Sequence, residues 1–306
     1  MVPFRPVSTY SIVAIDKKAR QMGVAVQSHW FSVGSVVPWG EPGVGVVATQ
    51  AFVESSYGPK GLALMRKGVP PSLALRRLLE ADRRSEVRQV AMLDTKGRVA
   101  AHTGPKCLPH AGDAQGRGFS VQANLMSNDG IWPAMARSFS SSRGPLAQRL
   151  LEALEAAEEA GGDIRGRQSA AILIVSTEPS KEKWRGKLVD LRVEDNPAPL
   201  VELRRLVRIG EAYDHANRGD DLVTEGRFSD ALREYKAAAE GAPEIEELKF
   251  WQGVTLLDRG KRNEALPLLR SAFRSRDQWR EVFACLPMYG LLRVDDEVMA
   301  ELLELA

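Results

Sequence analysis

Thirty-four residues separate Gly219 from Gly253, Gly226 from Gly260, Ala231 from Ala265, Tyr235 from Leu269 and Ala238 from Ala272, and this period constrains the C-terminal third of the chain more than any other feature. Small residues recur where helices must approach closely, and larger apolar ones recur between them. In TEGRFSDALREY, Gly226 suits a turn of positive φ and Ser229 is expected to cap the helix that follows. Ala231, Leu232, Tyr235 and Ala238 then fall on one helical face, and Pro243 marks the stop. Gln278 to Leu291 and Val294 to Leu305 read as a further helical pair covering the end of the stack. A repeat of this kind buries its apolar face only against neighbours, so two repeats must lean on another domain or another copy of the chain.

This pattern resembles the tetratricopeptide repeat. Two roles stay open for it: a groove that docks a peptide or protein partner, or a packing and oligomerisation module. Phe250, Trp251 and Trp279 are read as core in either case.

Ahead of the repeat the periodicity changes. β-rich runs at Tyr10 to Ile15, Gly23 to Gln27 and Val44 to Thr49 are separated by turn signals, among them Gly40-Glu41-Pro42-Gly43. Helices are expected at Pro59 to Lys67 and Pro71 to Ala81, then a hairpin of Val87 to Leu93 and Arg98 to His102. After a glycine-rich connection come a strand (Phe119 to Asn124), two helices (Ile131 to Phe139, Pro145 to Ala160) and two closing strands (Ser169 to Val175, Lys187 to Val193). Strands, helices, strands, helices and strands in that order predict an α+β fold, a four-layer αββα sandwich. Asn196-Pro197-Ala198-Pro199 is the joint, which divides the chain into residues 1–200 and an all-α helical hairpin stack at 201–306.

Charge and composition narrow the function classes. The first 200 residues carry 26 Lys and Arg against 19 acids and the remainder 16 against 21, a mild +7 and −5 that lacks the concentrated basic face of a nucleic-acid binder. No apolar run nears the ~20 residues of a membrane span, and Met1 to Ser8 has no signal-peptide pattern, so a cytoplasmic protein is expected. Cys107 and Cys285 fall in different domains, which disfavours a disulfide. His29, His102, His110 and His215 have no metal-ligand spacing; neither metal nor cofactor is expected.

Six ordered stretches are familiar: STYSIVAID from Ser8, GVAVQSHWFSVGSVVPW from Gly23, GVGVVATQA from Gly43, YGPKGLALM from Tyr57, GRVAAHTGPKC from Gly97 and GGDIRGRQSAAILIV from Gly161. Together they resemble, over about residues 8–208, the bacterial and archaeal family called domain of unknown function 1028. That family is grouped by fold with the N-terminal-nucleophile hydrolases, which include proteasome subunits and amidases. The resemblance implies Thr9 as nucleophile on the first strand, its freed α-amine acting as general base, and an amide substrate, small molecule or peptide. Asn124 or Gln122 would donate to the oxyanion. Two features depart from the pattern. Residues precede Thr9, so its nitrogen is an amide unless they are removed, and residues 21–50 contain no Lys or Arg to serve as cationic activator.

Further candidates come from position. Ser11 shares a strand face with Thr9. Ser28 and His29 end the second strand and Gln50 the third, where polar groups after apolar runs suggest a cleft. His102 follows a strand, and Arg167 precedes one, placed either to bind a substrate carboxylate or to pair with an acid at the domain edge. Cys107 with His110 is read as a turn-rich loop holding a thiol rather than a nucleophile pair. The functional alternatives are an amide-bond hydrolase, assembling as a homo-oligomer or docking a partner through its repeats, and a non-catalytic small-molecule-binding or scaffold protein on the same fold.

Overall fold

The computed structural model describes residues 6–304, and its contacts divide the chain into two compact units, Met1–Val207 and Arg208–Ala306. Residues 1–5 of the expected leader, and the end of the last expected helix, lie outside the described residues.

Unit 1 holds two antiparallel sheets. The six-stranded sheet runs β10-β9-β2-β1-β8-β7, with β1 Thr9–Asp16, β2 Gln21–Ser28, β7 Gly112–Gly116, β8 Phe119–Asn124, β9 Ser169–Ser176 and β10 Lys187–Val193. The four-stranded sheet runs β3-β4-β5-β6, with β3 Pro38–Glu41, β4 Gly45–Ala51, β5 Arg88–Asp94 and β6 Val99–Thr103. Helices α1 (Tyr57–Arg66) and α2 (Pro71–Ala81) follow β4, and α3 (Ile131–Ser141) and α4 (Leu146–Glu159) follow β8. Two of these strands escape sequence patterning. In β3, Gly40 and Glu41 pair with Val46 and Gly45, although they read as a turn, and β7 is built from the glycine-rich GDAQG with little β propensity. Both are edge strands held by a partner rather than by their own residues.

Alternation along each strand sorts the side chains into three cores. In β1, Tyr10, Ile12 and Ala14 face α3 and α4 together with Leu150 and Leu154. Val13 and Ile15 face the other sheet, meeting Val46, Ala48, Ala91 and Leu93. Val47, Val90 and Met92 turn outward to Tyr57, Leu62 and Leu75 of α1 and α2. Each sheet therefore carries helices on its outer face and an apolar core on its inner one.

Unit 2 is all helical: the later part of α5 (Pro199–Thr224), then α6 (Phe228–Gly241), α7 (Glu246–Asp258), α8 (Arg262–Ser275), α9 (Gln278–Cys285) and α10 (Asp296–Leu303). The 34-residue spacing recurs in the packing. A Cβ on Gly219 would stand 2.7 Å from the ring of Tyr235, and one on Gly253 would stand 3.0 Å from Leu269, the residues one period further along. Gly226 and Gly260 both take positive φ, 75° and 71°. Ser229 is not the cap expected of it: α6 begins at Phe228, with Arg227 at the cap position and no side-chain capping bond. Phe250 is fully buried and stacks on Trp279 at 4.6 Å between ring centroids, while Trp251 meets it edge-on at 5.1 Å. No helix among the described residues is long and apolar enough to cross a membrane.

Candidate active site

The layer between the two sheets changes character along its length. One end is the apolar cluster around Val13, Val24 and Leu93; at the other end, where β1 starts and β4 and β8 finish, the inward side chains of β1, β4, β5 and β8 are polar and sit beside Val7 and Val26. Thr9, Ser11, Gln50, Gln89, Gln122 and Asn124 are all fully buried there. The pairing dictates the assembly: Thr9 lies opposite Ser28 on one side and Asn124 on the other, Ser11 opposite Gln122, and Gln50 opposite Gln89.

Buried amides are tolerated only when hydrogen-bonded, and here they form a network whose orientations are forced. Gln89 Nε2 donates to the carbonyls of Gly112 (3.2 Å) and Ala123 (2.9 Å) and to Thr103 Oγ1 (2.9 Å), so its Oε1 must be the acceptor for Gln50 Nε2 (2.7 Å) and Asn124 Nδ2 (2.9 Å). Gln50 Nε2 also reaches the Thr9 carbonyl at 3.1 Å, and its Oε1 accepts from Ser11 Oγ at 2.5 Å. Gln122 Nε2 donates to Ser11 Oγ at 2.7 Å. Asn124 Nδ2 is thereby shared between Gln89 Oε1 and, at 3.4 Å, the Thr9 carbonyl, while Gln122 Nε2 gives one of its two hydrogens to Ser11 Oγ. Asn124 Oδ1, by contrast, is buried with no partner.

Different donors surround the peptide bond that precedes Thr9. The Ser8 carbonyl accepts from Ser28 Oγ at 2.5 Å and from Arg165 Nη2 at 2.8 Å. Arg165 is fixed by a forked pair with Asp163, at 2.7 Å and 3.0 Å, and Asp163 also accepts from the His29 amide at 3.2 Å. Thr9 Oγ1 donates to the Val7 carbonyl at 2.8 Å. Val7 is itself bridged to Ala51, the residue after Gln50. Ala51 and Leu125, which follow Gln50 and Asn124 directly, both hold positive φ, 66° and 56°, a strained conformation for side-chain-bearing residues at the rim of the site.

Beside this pole opens a cavity of about 680 Å³ lined by Pro6, His29, Trp30, Phe31, Leu108, Leu125, Arg165 and Gln168. His29 is exposed at its rim, its Nδ1 3.3 Å from the Arg167 carbonyl.

Of the residues singled out in the sequence, Thr9, Ser11, Ser28, Gln50, Gln122 and Asn124 converge on one buried pole, and His29 stands at its mouth. Two lie elsewhere. His102 falls on the outer face of the four-stranded sheet, its Nε2 2.9 Å from the Ser85 carbonyl, because strand alternation turns it away from Thr103. Arg167 pairs with Glu158, which also accepts from the Tyr10 hydroxyl on the helix-facing side. Burial and the neighbouring Glu158 push the Tyr10 phenol well above its ordinary range, so it stays a neutral donor. Cys107 donates to the Arg88 carbonyl at 3.4 Å, and burial raises its thiol to about 11; His110 pairs instead with Asp129 at 3.0 Å. Gln89, Thr103, Asp163 and Arg165 belong to the site although none was singled out. Gln89 had a legible signal, a polar residue at the inward phase of an otherwise apolar strand; Arg165 had none, since a loop residue has no period.

Among the described residues no group of three or more His, Cys, Asp or Glu could hold a metal ion.

The fold and site define a mixed α/β protein with two facing sheets and a buried polar pole at the start of its first strand, joined to an all-helical region. Residues 9–203 match the family of unknown function DUF1028, and the chain belongs to that family. A crystal structure of a protein of this family from Silicibacter pomeroyi is similar to it, with a TM-score of 0.59 and 29% sequence identity over 66% of this chain and 85% of that one. A search of curated proteins found no match.

Proposed function

We propose that unit 1 is an amide-bond hydrolase of the N-terminal-nucleophile type, with Thr9 as nucleophile once the Ser8–Thr9 bond is cut. One observation carries this reading: the Ser8 carbonyl, immediately before a buried threonine hydroxyl, is gripped by two hydrogen-bond donors, one of them a guanidinium. Such donors stabilise the charge that develops when a hydroxyl adds to that carbonyl. Two facing sheets with helices outside them, and a family match that starts at Thr9, support the same class. In the intact chain Thr9 nitrogen is an amide and Thr9 is fully buried, so this form is a precursor. Cleavage would supply an α-amine of reference pKa ~7.7–8.0 as general base, which takes the part of the absent lysine. Asn124, in register with Thr9, carries the unpartnered acceptor that this amine needs.

For unit 2 we infer a short stack of tetratricopeptide-type hairpins serving assembly. The glycine contacts that repeat at 34 residues support it, and two repeats present little concave surface.

Intact-mass spectrometry of the protein made in cells tests the nucleophile reading. A chain beginning at Thr9, and a Thr9→Ala variant that retains the preceding residues, is the expected pair of results. An uncut wild-type chain after prolonged incubation would refute the reading in favour of a binding or scaffold protein.

A further inference from the structure

The segment before Thr9 makes more contacts than a leader needs merely to be removed. Val7 donates its N–H to the Ala51 carbonyl at 2.7 Å and accepts from the Ala51 N–H at 3.0 Å, the two-bond exchange of an antiparallel pair. Its side chain is fully buried in the apolar cluster between the sheets. Ser8 is fully buried too; its carbonyl meets Ser28 and Arg165, while its hydroxyl has no partner. Pro6 then lines the 680 Å³ cavity, beside Trp30, Phe31, Leu108 and Leu125.

We propose that Pro6-Val7-Ser8 lies in this molecule as the acyl part of a substrate lies, and that the processed domain hydrolyses peptide or N-acylpeptide amides with a small residue at the scissile carbonyl and an apolar residue before it. The inference rests on the nucleophile reading of Thr9. The chemistry makes the two acyl parts equivalent. In the cut, Thr9 Oγ1 bonds to the Ser8 carbonyl carbon, the carbon–nitrogen bond breaks, and the hydroxyl proton ends on the freed Thr9 amine. The product is an ester of Ser8 on Thr9 Oγ1, which water hydrolyses to the Ser8 carboxylate and a restored hydroxyl. An external amide attacked by Thr9 Oγ1 gives the same kind of ester, with the proton leaving on its amine. An acetyl-Pro-Val-Ser amide therefore generates an acyl-enzyme that differs from the leader's own only beyond proline. The occupied slots set the preferences. Main-chain pairing to Ala51 demands an extended peptide, the Val7 position rejects charge, and the Ser8 position, where the hydroxyl is buried and unpaired, favours alanine over serine.

The test uses the chain from Thr9 to Ala306, with Thr9 as its first residue and the helical unit retained, and four fluorogenic aminocoumarin amides: acetyl-Pro-Val-Ser, acetyl-Pro-Val-Ala, acetyl-Pro-Asp-Ser and acetyl-Ala. The Pro-Val substrates should be turned over in a Thr9-dependent manner, alanine exceeding serine by up to about tenfold in kcat/KM, and the aspartate substrate falling by roughly 100-fold or more. Equal turnover of acetyl-Ala and the Pro-Val substrates, or of the valine and aspartate peptides, overturns the inference while Thr9 keeps its role. No Thr9-dependent turnover of any of the four, with no covalent adduct of Thr9 on treatment with a β-lactone, overturns both.

Discussion

Gln89→Leu is the sharpest probe of the buried network, because one amide ties β4 and β6 of one sheet to β7 and β8 of the other. The two hydrogens of Gln89 Nε2 serve Ala123, Gly112 and Thr103, and its Oε1 accepts from Gln50 and Asn124. Leucine is of similar volume but removes all of these bonds, about 4 kcal/mol at the net ~1 kcal/mol of a neutral hydrogen bond. Gln50 keeps the Thr9 carbonyl, whereas Asn124 Nδ2 keeps only a long 3.4 Å contact to it, so a partly stranded donor adds ~1–2 kcal/mol. The extra apolar burial returns ~1–2 kcal/mol. The expected loss is therefore about 4 kcal/mol, a large fraction of a typical domain's stability, and at ~2–4 °C per kcal/mol it lowers the melting point of unit 1 by roughly 10 °C. Differential scanning calorimetry of the full chain, with Gln115→Leu on the exposed position of β7 as control, measures it. A shift of Gln89→Leu no larger than that of the control would refute the network as the reason these residues are polar.

Burial and Asp82 raise the Tyr57 phenol above its usual value of 10. Folding thus favours its protonated form, and the stability is complete below pH ~10 and lost as pH rises from there toward the folded value; melting curves between pH 9 and 11 should fall less steeply for Tyr57→Phe, and identical slopes would count against the assignment. The Cys107 thiol, raised to about 11 by burial, should resist a disulfide reagent at pH 8 while the exposed Cys285 reacts, and rapid labelling of both would contradict it. Gly219→Ala forces a Cβ to 2.7 Å from the Tyr235 ring, against 3.0 Å from flexible Leu269 for Gly253→Ala; overpacking of ~1–3 kcal/mol should make the first variant the less stable in urea unfolding of unit 2, and the reverse order would refute the packing argument. Deleting residues 209–306 should reduce the solution mass to that of a monomer in sedimentation if the helical unit drives assembly; a multimer of the truncated chain, or a monomeric full-length protein, would end that idea.

Local patterning was enough for most elements: β8 and β10 stand where alternation puts them, α2 where Pro71 opens it, and the repeat where its 34-residue period puts it. It failed at β3 and β7, whose glycines carry no periodic signal, because pairing to a neighbour and not propensity makes them strands. The site divides in the same way. Polar residues at the ends of apolar strands, Thr9, Ser28, Gln50 and Asn124, mark a cleft in one dimension because a buried strand has no other reason to carry them. Which of their atoms are free is decided only by the tertiary structure. Pairing of the two sheets ties Asn124 and Gln122 into one amide network, strand alternation puts His102 on the outer face, and the fork with Asp163 holds a loop arginine at the Ser8 carbonyl, since each donor can satisfy only the acceptors that folding brings within about 3 Å.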